Sequence, residues 1–387
     1  MERMIYLDNA ATTMRKPPAV VDAVVRALTT FGGVGRGAHP ASIAAGSAVY
    51  QARSAIAKML GAPSPTRVAF TINATMALNI ALQGLLPDGG RALTTAASHN
   101  SVLRPLFRAR DMRGCAIDVA PIRPDGSLDF ETYLKLLERE PAVVAATHAS
   151  NLTGDIYDVS AMAQAAHRAG ALFVLDAAQT AGAYPIDMAA IGADIVCFTG
   201  HKSLFGPQGT GGLAVASGVN VPPLLEGGSG IQSFDERQPT EMPESLEAGT
   251  LNAHGLAGLA AGIAFVQDEC GGPAGVHRRV SAMAQEFEQR VAAIPSVHVY
   301  GRHAEADAGA VVALNVGEVD SAEVADALAR DFNIATRAGA HCAPLMHKAL
   351  GTERQGAVRF SFSALNTPDE VDKAVRALST IAGDYLL

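Results

Sequence analysis

Short apolar runs alternate with alanine-rich segments of helical spacing from the start of the chain to about residue 255. Residues 160–169 have helical spacing, and Gly170 follows them as a C-cap. An apolar run comes directly after this helix, and runs of the same kind recur along the chain. Alternation of this type predicts an α/β domain with a mostly parallel sheet flanked by helices. The predicted strands are 68–70, 143–147, 171–175 and 194–198.

The pattern changes near residue 255. The preceding stretch, 219–243, is rich in glycine, proline and charge, which predicts a long surface loop. The following residues, 255–269, have helical spacing, and 311–316 is typical of a strand in a smaller α+β domain. The first dozen residues are expected to pack against this smaller domain. The predicted organisation is a large domain, 15–254, and a small domain formed by 1–14 and 255–387.

Composition and charge exclude several classes of protein. The chain has 387 residues, of which 49% are hydrophobic and 18% charged, as in an ordinary globular enzyme. The net charge of −8 and the lack of a basic stretch argue against nucleic-acid binding. No apolar run approaches the ~20 residues that span a bilayer. The N-terminus lacks the zones of a signal peptide, so a cytoplasmic location is expected.

The four cysteines are far apart in the sequence and include no C-x-x-C pair. This spacing argues against a disulfide framework and against a structural zinc site, and no metal is predicted. Each cysteine therefore has to be judged by its own surroundings. They are Cys115, Cys197, Cys270 and Cys342.

Lys202 stands apart from the other lysines because it follows an apolar strand and precedes a glycine-rich turn. Open α/β sheets bind ligands at the carboxyl ends of their strands. Burial at such a point would lower the pKa of the Lys202 amine and favour the neutral form that makes imines. The remaining lysines are expected to be solvated ammonium groups: Lys16, Lys58, Lys135, Lys348 and Lys373.

Asp176 ends the strand that precedes the one leading to Lys202. A carboxylate beside a lysine suits pyridoxal phosphate, because the lysine carries the aldehyde carbon and the carboxylate keeps the pyridine nitrogen protonated. Simple capping of the next helix is the alternative role for Asp176. The polar residues 71–75 open a helix and could bind a phosphate, or could only cap that helix. His99 could stack on an aromatic ring or be an ordinary loop histidine.

Five segments together resemble the class V aminotransferase family: 6–13 (YLDNAATT), 176–179 (DAAQ), 199–202 (TGHK), 247–250 (EAGT) and 337–342 (RAGAHC). The last is similar to the active-site cysteine segment of group II cysteine desulfurases and selenocysteine lyases. The matches extend past Arg359 and cover essentially the whole chain. Their combination is specific, whereas any one of them alone would be weak.

The resemblance implies a fold-type I homodimer that carries pyridoxal 5'-phosphate. It implies that Lys202 is the Schiff-base lysine, that Asp176 pairs with the pyridine nitrogen and that catalysis also uses Cys342. It further implies that Gln179 contacts the phenolic oxygen, and that His99 stacks on the ring and takes part in catalysis. The phosphate contacts implied within one subunit are Thr75, Thr199, His201 and the backbone at Ala74. Thr250, with the backbone at Gly249, would complete the site of the other subunit.

Substrate recognition is implied for three further residues. Arg359 matches an arginine that binds the substrate carboxylate, and a planar guanidinium fits a carboxylate in a bidentate way. Asn151 and His39 match other substrate-side positions. Two departures from the family pattern stand out: Ala340 where many relatives have a second histidine, and Ala74 with Met76 where they often have threonine and glutamate.

Cys342 is the predicted nucleophile. A thiolate suits attack on the sulfur of a substrate because it is soft and strongly nucleophilic, and a cation such as Arg337 favours that form. Cys197 lies in a buried strand and is expected to be inert. The sequence therefore predicts a cysteine desulfurase that converts L-cysteine to L-alanine and holds the sulfur as a persulfide on Cys342. A sulfur-acceptor protein would then receive the sulfur.

Other functions remain open at this point. Selenocysteine lyase, or another class V aminotransferase, lyase or epimerase, would use the same carbanion chemistry. A nicotinamide-dependent oxidoreductase is disfavoured because 206–212 (GPQGTGG) lacks the G-x-G-x-x-G spacing. A binding or scaffold protein that lost catalysis is disfavoured because the chain keeps Asp176, Lys202, Cys342 and Arg359.

Overall fold

The computed structural model describes residues 3–35, 37–301 and 309–384. The predicted small domain also includes 1–2, 302–308 and 385–387, which lie outside the described residues. The strands are β1 (Ile5–Tyr6), β2 (Val68–Thr71), β3 (Arg91–Thr95), β4 (Ala116–Ala120), β5 (Val143–Thr147), β6 (Leu172–Asp176), β7 (Ile195–Thr199), β8 (Gly211–Val215), β9 (Val297–Tyr300), β10 (Val311–Val316), β11 (Ile334–Ala335) and β12 (Val358–Ser361).

The helices surround the strands on both faces. Short 3₁₀ helices cover Pro65–Arg67 and Glu244–Leu246. Every helix of the described residues is too short or too polar to cross a membrane. The α-helices are α1 (Pro18–Thr30), α2 (Pro40–Leu60), α3 (Ala74–Leu85), α4 (Asn100–Arg113), α5 (Phe130–Leu137), α6 (Val159–Arg168), α7 (Met188–Ile191), α8 (Ala253–Asp268), α9 (Gly272–Val291), α10 (Ser321–Phe332), α11 (Pro344–Leu350) and α12 (Pro368–Asp384).

The central sheet has seven strands in the order β2-β8-β7-β6-β5-β3-β4. The five neighbouring strands β7, β6, β5, β3 and β4 are parallel to one another, whereas β8 is antiparallel to both of its neighbours, β2 and β7. The mostly parallel sheet flanked by helices confirms the predicted fold class. The four strands expected from the apolar runs are present, with ends that differ by at most one residue. Asp194 lies just before β7, and its carboxylate accepts the backbone N–H of Phe173 at 2.7 Å.

Side chains on the two faces of this sheet enter different apolar clusters, as the alternation of a strand requires. Val144 of β5 and Leu175 of β6 pack with the helices that also cover the smaller sheet. Val143 and Val174 point to the opposite face and pack with α3 and α4. The central strands are therefore buried on both faces, which explains why they are apolar throughout.

A second sheet, in the order β12-β10-β9, is antiparallel. Beside it, β1 pairs with β11 in parallel, and the backbone N–H of Ser361 donates to Leu7 O at 2.7 Å. The first residues of the chain thus pack against the C-terminal part, as expected from the sequence. Helix α8 packs along α1 and α2. The division into two domains at residue 255 stays a prediction.

Candidate active site

A cavity of about 240 Å³ opens at the carboxyl edge of the central sheet, where β5, β6 and β7 end. Ligand sites of open α/β sheets lie at this edge because the loops after parallel strands converge there. Most of the site residues expected from the sequence line this one cavity. They are Ala74, Thr75, His99, Asn151, Asp176, Gln179, Thr199, His201, Lys202, Cys342 and Arg359.

Lys202 lies three residues beyond the end of β7, and its amine makes no hydrogen bond to the described residues. Burial, together with Arg359 and Arg337, lowers the pKa of this amine to about 8, although Asp176 acts in the opposite direction. Much more of the neutral amine is therefore present near neutral pH than for a lysine in water. A neutral amine is the form that attacks an aldehyde.

Asp176 is the last residue of β6 and is only 4% exposed. Its Oδ1 accepts the backbone N–H of Ala178 at 3.0 Å. Burial raises the pKa of the Asp176 carboxyl, whereas the Ala178 bond and Lys202 lower it. A protonated pyridine nitrogen beside this buried carboxyl would stabilise its ionised form, because a nearby positive charge offsets the cost of burying the negative one.

The other end of the cavity presents donors to an anion. Helix α3 begins at Ala74, and the Asn73 side chain caps it by accepting the backbone N–H of Met76 at 3.0 Å. The free N–H groups of Ala74 and Thr75 lie in the first turn, at the positive end of the helix dipole. Gly211 is required here, since a Cβ on it would lie 2.6 Å from the Asn73 Cα.

Two side-chain atoms at this end are buried and have no hydrogen-bond partner: Thr199 Oγ1 and His201 Nδ1. Buried polar atoms are rarely left unpaired in a folded protein, so orphaned atoms that line a cavity point to a missing polar ligand. A phosphate group supplies oxygens that could satisfy both atoms and the α3 N-terminus. The residues present therefore fit pyridoxal phosphate.

His99 caps helix α4, because its Nδ1 accepts the backbone N–H of Ser101 at 3.0 Å. This bond assigns the ring proton to Nε2. Burial, together with the positive charges of Lys202 and three arginines, lowers the His99 pKa to about 4. The imidazole is therefore neutral at physiological pH, and its ring lines the cavity.

The opposite wall of the cavity comes from the C-terminal part of the chain. Arg359 on β12 is 2% exposed, donates from Nη2 to Asp8 Oδ1 at 2.7 Å and from Nη1 to the Asn151 carbonyl at 3.0 Å. Arg359 Nε and Asn151 Oδ1 are both buried without a partner. Unsatisfied donor and acceptor atoms of this kind suit a small polar ligand with a carboxylate and an amine.

Cys342 is the exposed cysteine of the four, whereas Cys115 and Cys197 are buried. Burial also raises the pKa of the Cys197 thiol well above its usual value, as expected for an inert side chain. Cys342 and His341 both have positive φ angles, 55° and 49°, which side chains other than glycine rarely adopt. Strain of this size persists only where surrounding contacts fix the backbone.

Several contacts hold the Cys342 loop. Asn151 Nδ2 donates to His341 O at 2.7 Å, and the Asn100 backbone N–H donates to Cys342 O at 2.8 Å. His341 Nε2 donates to Arg337 O at 3.2 Å, and burial lowers the His341 pKa to about 3. The loop is thus bound to the strand ends on one side and closed on itself on the other.

Three predicted residues lie outside this cavity. Gly249 and Thr250 are exposed, and Thr250 lines a separate groove together with residues of 227–239. His39 caps α2 through a bond from the Ser42 backbone N–H at 3.3 Å and does not line the cavity. One chain therefore does not bring these residues to the strand-end site.

The expectation for Lys16 was wrong. It was predicted to be a solvated ammonium, but it is half-buried, its Nζ donates to His201 O at 3.1 Å, and burial lowers its pKa to about 8. Asp8, the partner of Arg359, received no role from the sequence although it lies in the segment 6–13. Neither position carried a local signal, since the two contacts join residues that are 185 and 351 positions apart in the chain.

The fold and this strand-end site define the class of protein. The family model Aminotransferase class-V matches residues 5–374, and the chain belongs to that family. The described residues contain no group of three or more His, Cys, Asp or Glu side chains placed to hold a metal ion.

Within this family, the chain is similar over nearly its whole length to proteins named cysteine desulfurases. A probable cysteine desulfurase from Vibrio cholerae is 32% identical over 97% of this chain and 93% of its own length. The apo cysteine desulfurase from Thermococcus onnurineus NA1 has a TM-score of 0.91 at 32% identity, over 98% of this chain and 95% of that chain. The S-sulfonic acid form of the cysteine desulfurase CsdA from Escherichia coli has a TM-score of 0.88 at 28% identity, over 99% and 96%.

Proposed function

We propose that this chain is a pyridoxal-phosphate-dependent cysteine desulfurase, which converts L-cysteine to L-alanine and retains the sulfur on Cys342. One observation carries the proposal: a lysine amine of lowered pKa and an exposed cysteine line the same cavity, together with a buried arginine. A cysteine on the cavity wall is what sulfur removal requires beyond the chemistry shared by the family. The similarity to cysteine desulfurases over the whole chain supports it.

The cofactor is proposed to bind along the sheet-edge wall, which is the side of the cavity formed by Asp176 and Lys202 at the ends of β6 and β7 and by the start of α3. Lys202 would be the covalent attachment point, Asp176 would pair with the pyridine nitrogen, and Gln179 would contact the ring. The start of α3, with Thr199 and His201, would hold the phosphate. The neutral His99 ring would stack on the cofactor. When bound, pyridoxal phosphate supplies an electron sink that stabilises negative charge on the substrate α-carbon.

The substrate carboxylate binds to Arg359. Its guanidinium is already fixed by Asp8 and by the Asn151 carbonyl, so little side-chain entropy is lost on binding. The buried Nε of Arg359 and Oδ1 of Asn151 supply further polar contacts. This arrangement orients the substrate with its α-carbon toward Lys202 and its side chain toward Cys342.

Proton and sulfur transfer then use two different residues. The Lys202 amine removes the α-proton and returns a proton as the product forms. The Cys342 thiolate attacks the substrate sulfur, so a new S–S bond forms on Cys342 while the substrate Cβ–S bond breaks and its electron pair stays with carbon. That carbon takes up a proton, L-alanine leaves, and Cys342 carries a persulfide.

A homodimer completes the site in this proposal. On α1, Val21, Val25 and Leu28 recur at helical spacing and are 51%, 56% and 61% exposed, although they are large and apolar. A second exposed pair on α2 is Ile43 and Tyr50. An apolar face of this kind favours association with another copy, and Thr250 would then reach the phosphate end of the other subunit's cavity.

The substrate assignment is tested by product analysis with L-cysteine, selenocysteine and cysteine sulfinate in parallel, each with a reductant. We expect equal amounts of alanine and sulfide from L-cysteine. Transfer of the amino group to a keto acid, with no alanine from cysteine, would contradict the proposal. Alanine formed efficiently only from selenocysteine would assign the selenium substrate instead.

The dimer is tested by light scattering during size-exclusion chromatography. We expect twice the mass of one chain, and Val25→Asp should shift the protein towards the mass of one chain because it places a charge on the exposed face of α1. If the unsubstituted protein has the mass of a single chain, the proposal of a site shared between subunits is wrong. A cytoplasmic location and a sulfur-acceptor protein stay predictions of the sequence.

A further inference from the structure

Arg53 of α2 and Glu247 form a buried ion pair away from the cavity. Both terminal nitrogens of the guanidinium donate to the carboxylate, with Nη1 at 2.7 Å from Oε1 and Nη2 at 2.9 Å from Oε2. The two side chains are 8% and 5% exposed. A bidentate pair fixes the orientation of both groups, which a single bond to lysine would not do.

The pair also occupies the free edge of the central sheet. Strand β2 is an edge strand, so the outward backbone groups of Val68 and Phe70 have no neighbouring strand. Glu247 Oε1 accepts the Phe70 N–H at 2.6 Å, and Arg53 Nη1 donates to the Val68 carbonyl. The Arg53 guanidinium also lies 4.8 Å from the centre of the Phe70 ring. The ion pair thus satisfies two backbone groups that a neighbouring strand would otherwise pair with.

Two segments to which the proposed function assigns phosphate contacts extend from this pair. Strand β2 leads directly to Asn73 and the start of α3, which line the chain's own cavity. Glu247 precedes Gly249 and Thr250, which are exposed and lie outside that cavity. The buried carboxylate therefore sets where the exposed Thr250 stands relative to the sheet.

The segment is also fixed on its other side. Asn252 Nδ2 donates to Gly209 O at 3.0 Å, and its Oδ1 accepts the Gly255 N–H at the start of α8. Between these anchors, the Gly249 N–H donates to Gly228 O at 2.8 Å. Thr250 is exposed and makes no hydrogen bond to the described residues of its own chain, so its hydroxyl is available to a group outside the chain.

We propose that Arg53 and Glu247 are positioning residues that hold Thr250 in place for the cofactor phosphate of the partner subunit. The proposal rests on the proposed function, in which Thr250 contributes to the other subunit's site. Burying an ion pair is costly, and such pairs are poor devices for stability alone. Its placement at the root of the Thr250 segment gives it a role in geometry, exerted across the dimer interface.

The test uses heterodimers with a single cofactor-linked lysine. Two differently tagged chains are coexpressed, one of them carrying Lys202→Ala, and the purified dimers are freed of cofactor. Glu247→Gln is placed either on the Lys202→Ala chain or on the chain that keeps Lys202. Pyridoxal phosphate is then titrated in, and visible absorbance reports binding at the remaining Lys202.

We expect the two arrangements to differ. With Glu247→Gln on the Lys202→Ala chain, the dissociation constant should rise about tenfold, as expected for one lost hydrogen bond to a charged group. With Glu247→Gln on the chain that keeps Lys202, it should stay within about twofold of the dimer lacking this substitution. Equal effects in both arrangements, an effect only in the second, or no effect would each overturn the proposal.

Two control variants separate the possible failures. Thr250→Ala should show the same dependence on arrangement, and if it does while Glu247→Gln does not, the positioning proposal alone fails. If Thr250→Ala has no such effect, or no visible band forms at all, the shared site also fails. Glu370→Gln breaks the mostly buried ion pair with Arg15, and should lower the stability to denaturant without changing cofactor affinity in either arrangement.

Discussion

The two walls of the cavity differ in secondary structure and in exposure to solvent. The sheet-edge wall carries Asp176 and Lys202 at the ends of adjacent parallel strands, where the carboxylate is 4% exposed. The opposite wall carries Cys342 on a loop with two left-handed residues, and this cysteine is exposed. A covalent cofactor needs a fixed and dry attachment point, whereas a residue that passes sulfur to an acceptor has to be reached from outside.

The two walls are also joined differently. Neighbouring strands fix the sheet edge through a continuous ladder of backbone hydrogen bonds. The opposite wall is attached by separate polar contacts, chiefly from Arg359 to Asp8 and from Asn151 to the His341 carbonyl. Substitutions in the first wall should therefore abolish cofactor chemistry, and those in the second should separate cofactor binding from sulfur transfer.

The largest effect is expected at the sheet-edge wall. Lys202→Ala removes both the cofactor attachment and the proton-transfer group, so activity should fall by more than about 10³-fold and the yellow colour should be lost. Activity assays and visible spectra with added pyridoxal phosphate measure both. The exposed Lys348→Ala should keep the colour, and colour that survives in Lys202→Ala would refute the assignment.

Cys342→Ala tests the independence of the opposite wall. The cofactor band should remain, because Cys342 does not attach the cofactor, while sulfide release from L-cysteine falls by at least about 10²-fold. Mass spectrometry of the protein after reaction should find the added sulfur on Cys342 and not in the variant. Cys270→Ala provides the control, and alanine formation at the original rate in Cys342→Ala would exclude the persulfide route.

Arg359→Lys probes how the opposite wall binds substrate. A lysine cannot satisfy the bidentate geometry, and hydrogen bonds to charged groups contribute about 1.5–3 kcal/mol, so kcat/KM for L-cysteine should fall about 10- to 100-fold. The visible spectrum before substrate addition should stay the same. A surface change such as Arg91→Lys should leave kcat/KM unaltered, and the idea fails if Arg359→Lys behaves in the same way.

The smallest effect concerns pH at the sheet edge. The protonated Lys202 amine cannot add to an aldehyde, and its pKa is lowered to about 8. Recombination of the cofactor-free enzyme with pyridoxal phosphate should therefore speed up by about tenfold per pH unit below 8 and level off above it. In Asp176→Asn the midpoint should move to lower pH, because Asp176 raises this pKa. A midpoint near 10 in the original enzyme would contradict the lowered value.

Much of the sheet-edge wall was predictable from sequence. Apolar runs marked the strands, and Asp176 and Lys202 follow two of them, so a parallel arrangement brings their side chains to one edge. The motifs at 176–179 and 199–202 added Gln179, Thr199 and His201 through family resemblance. Local patterns were sufficient here because each residue lies a fixed, short distance from the end of its own strand.

The sequence by itself determined the class of fold, the strand ends and the candidate lysine and cysteine, since these depend on local periodicity and short motifs. Tertiary structure alone decided that Asp8 pairs with Arg359, that Lys16 is half-buried and that Arg53 with Glu247 closes the sheet edge. Those partners are far apart in the chain. Their contacts follow from how the elements pack, for which no single stretch of sequence carries a signal.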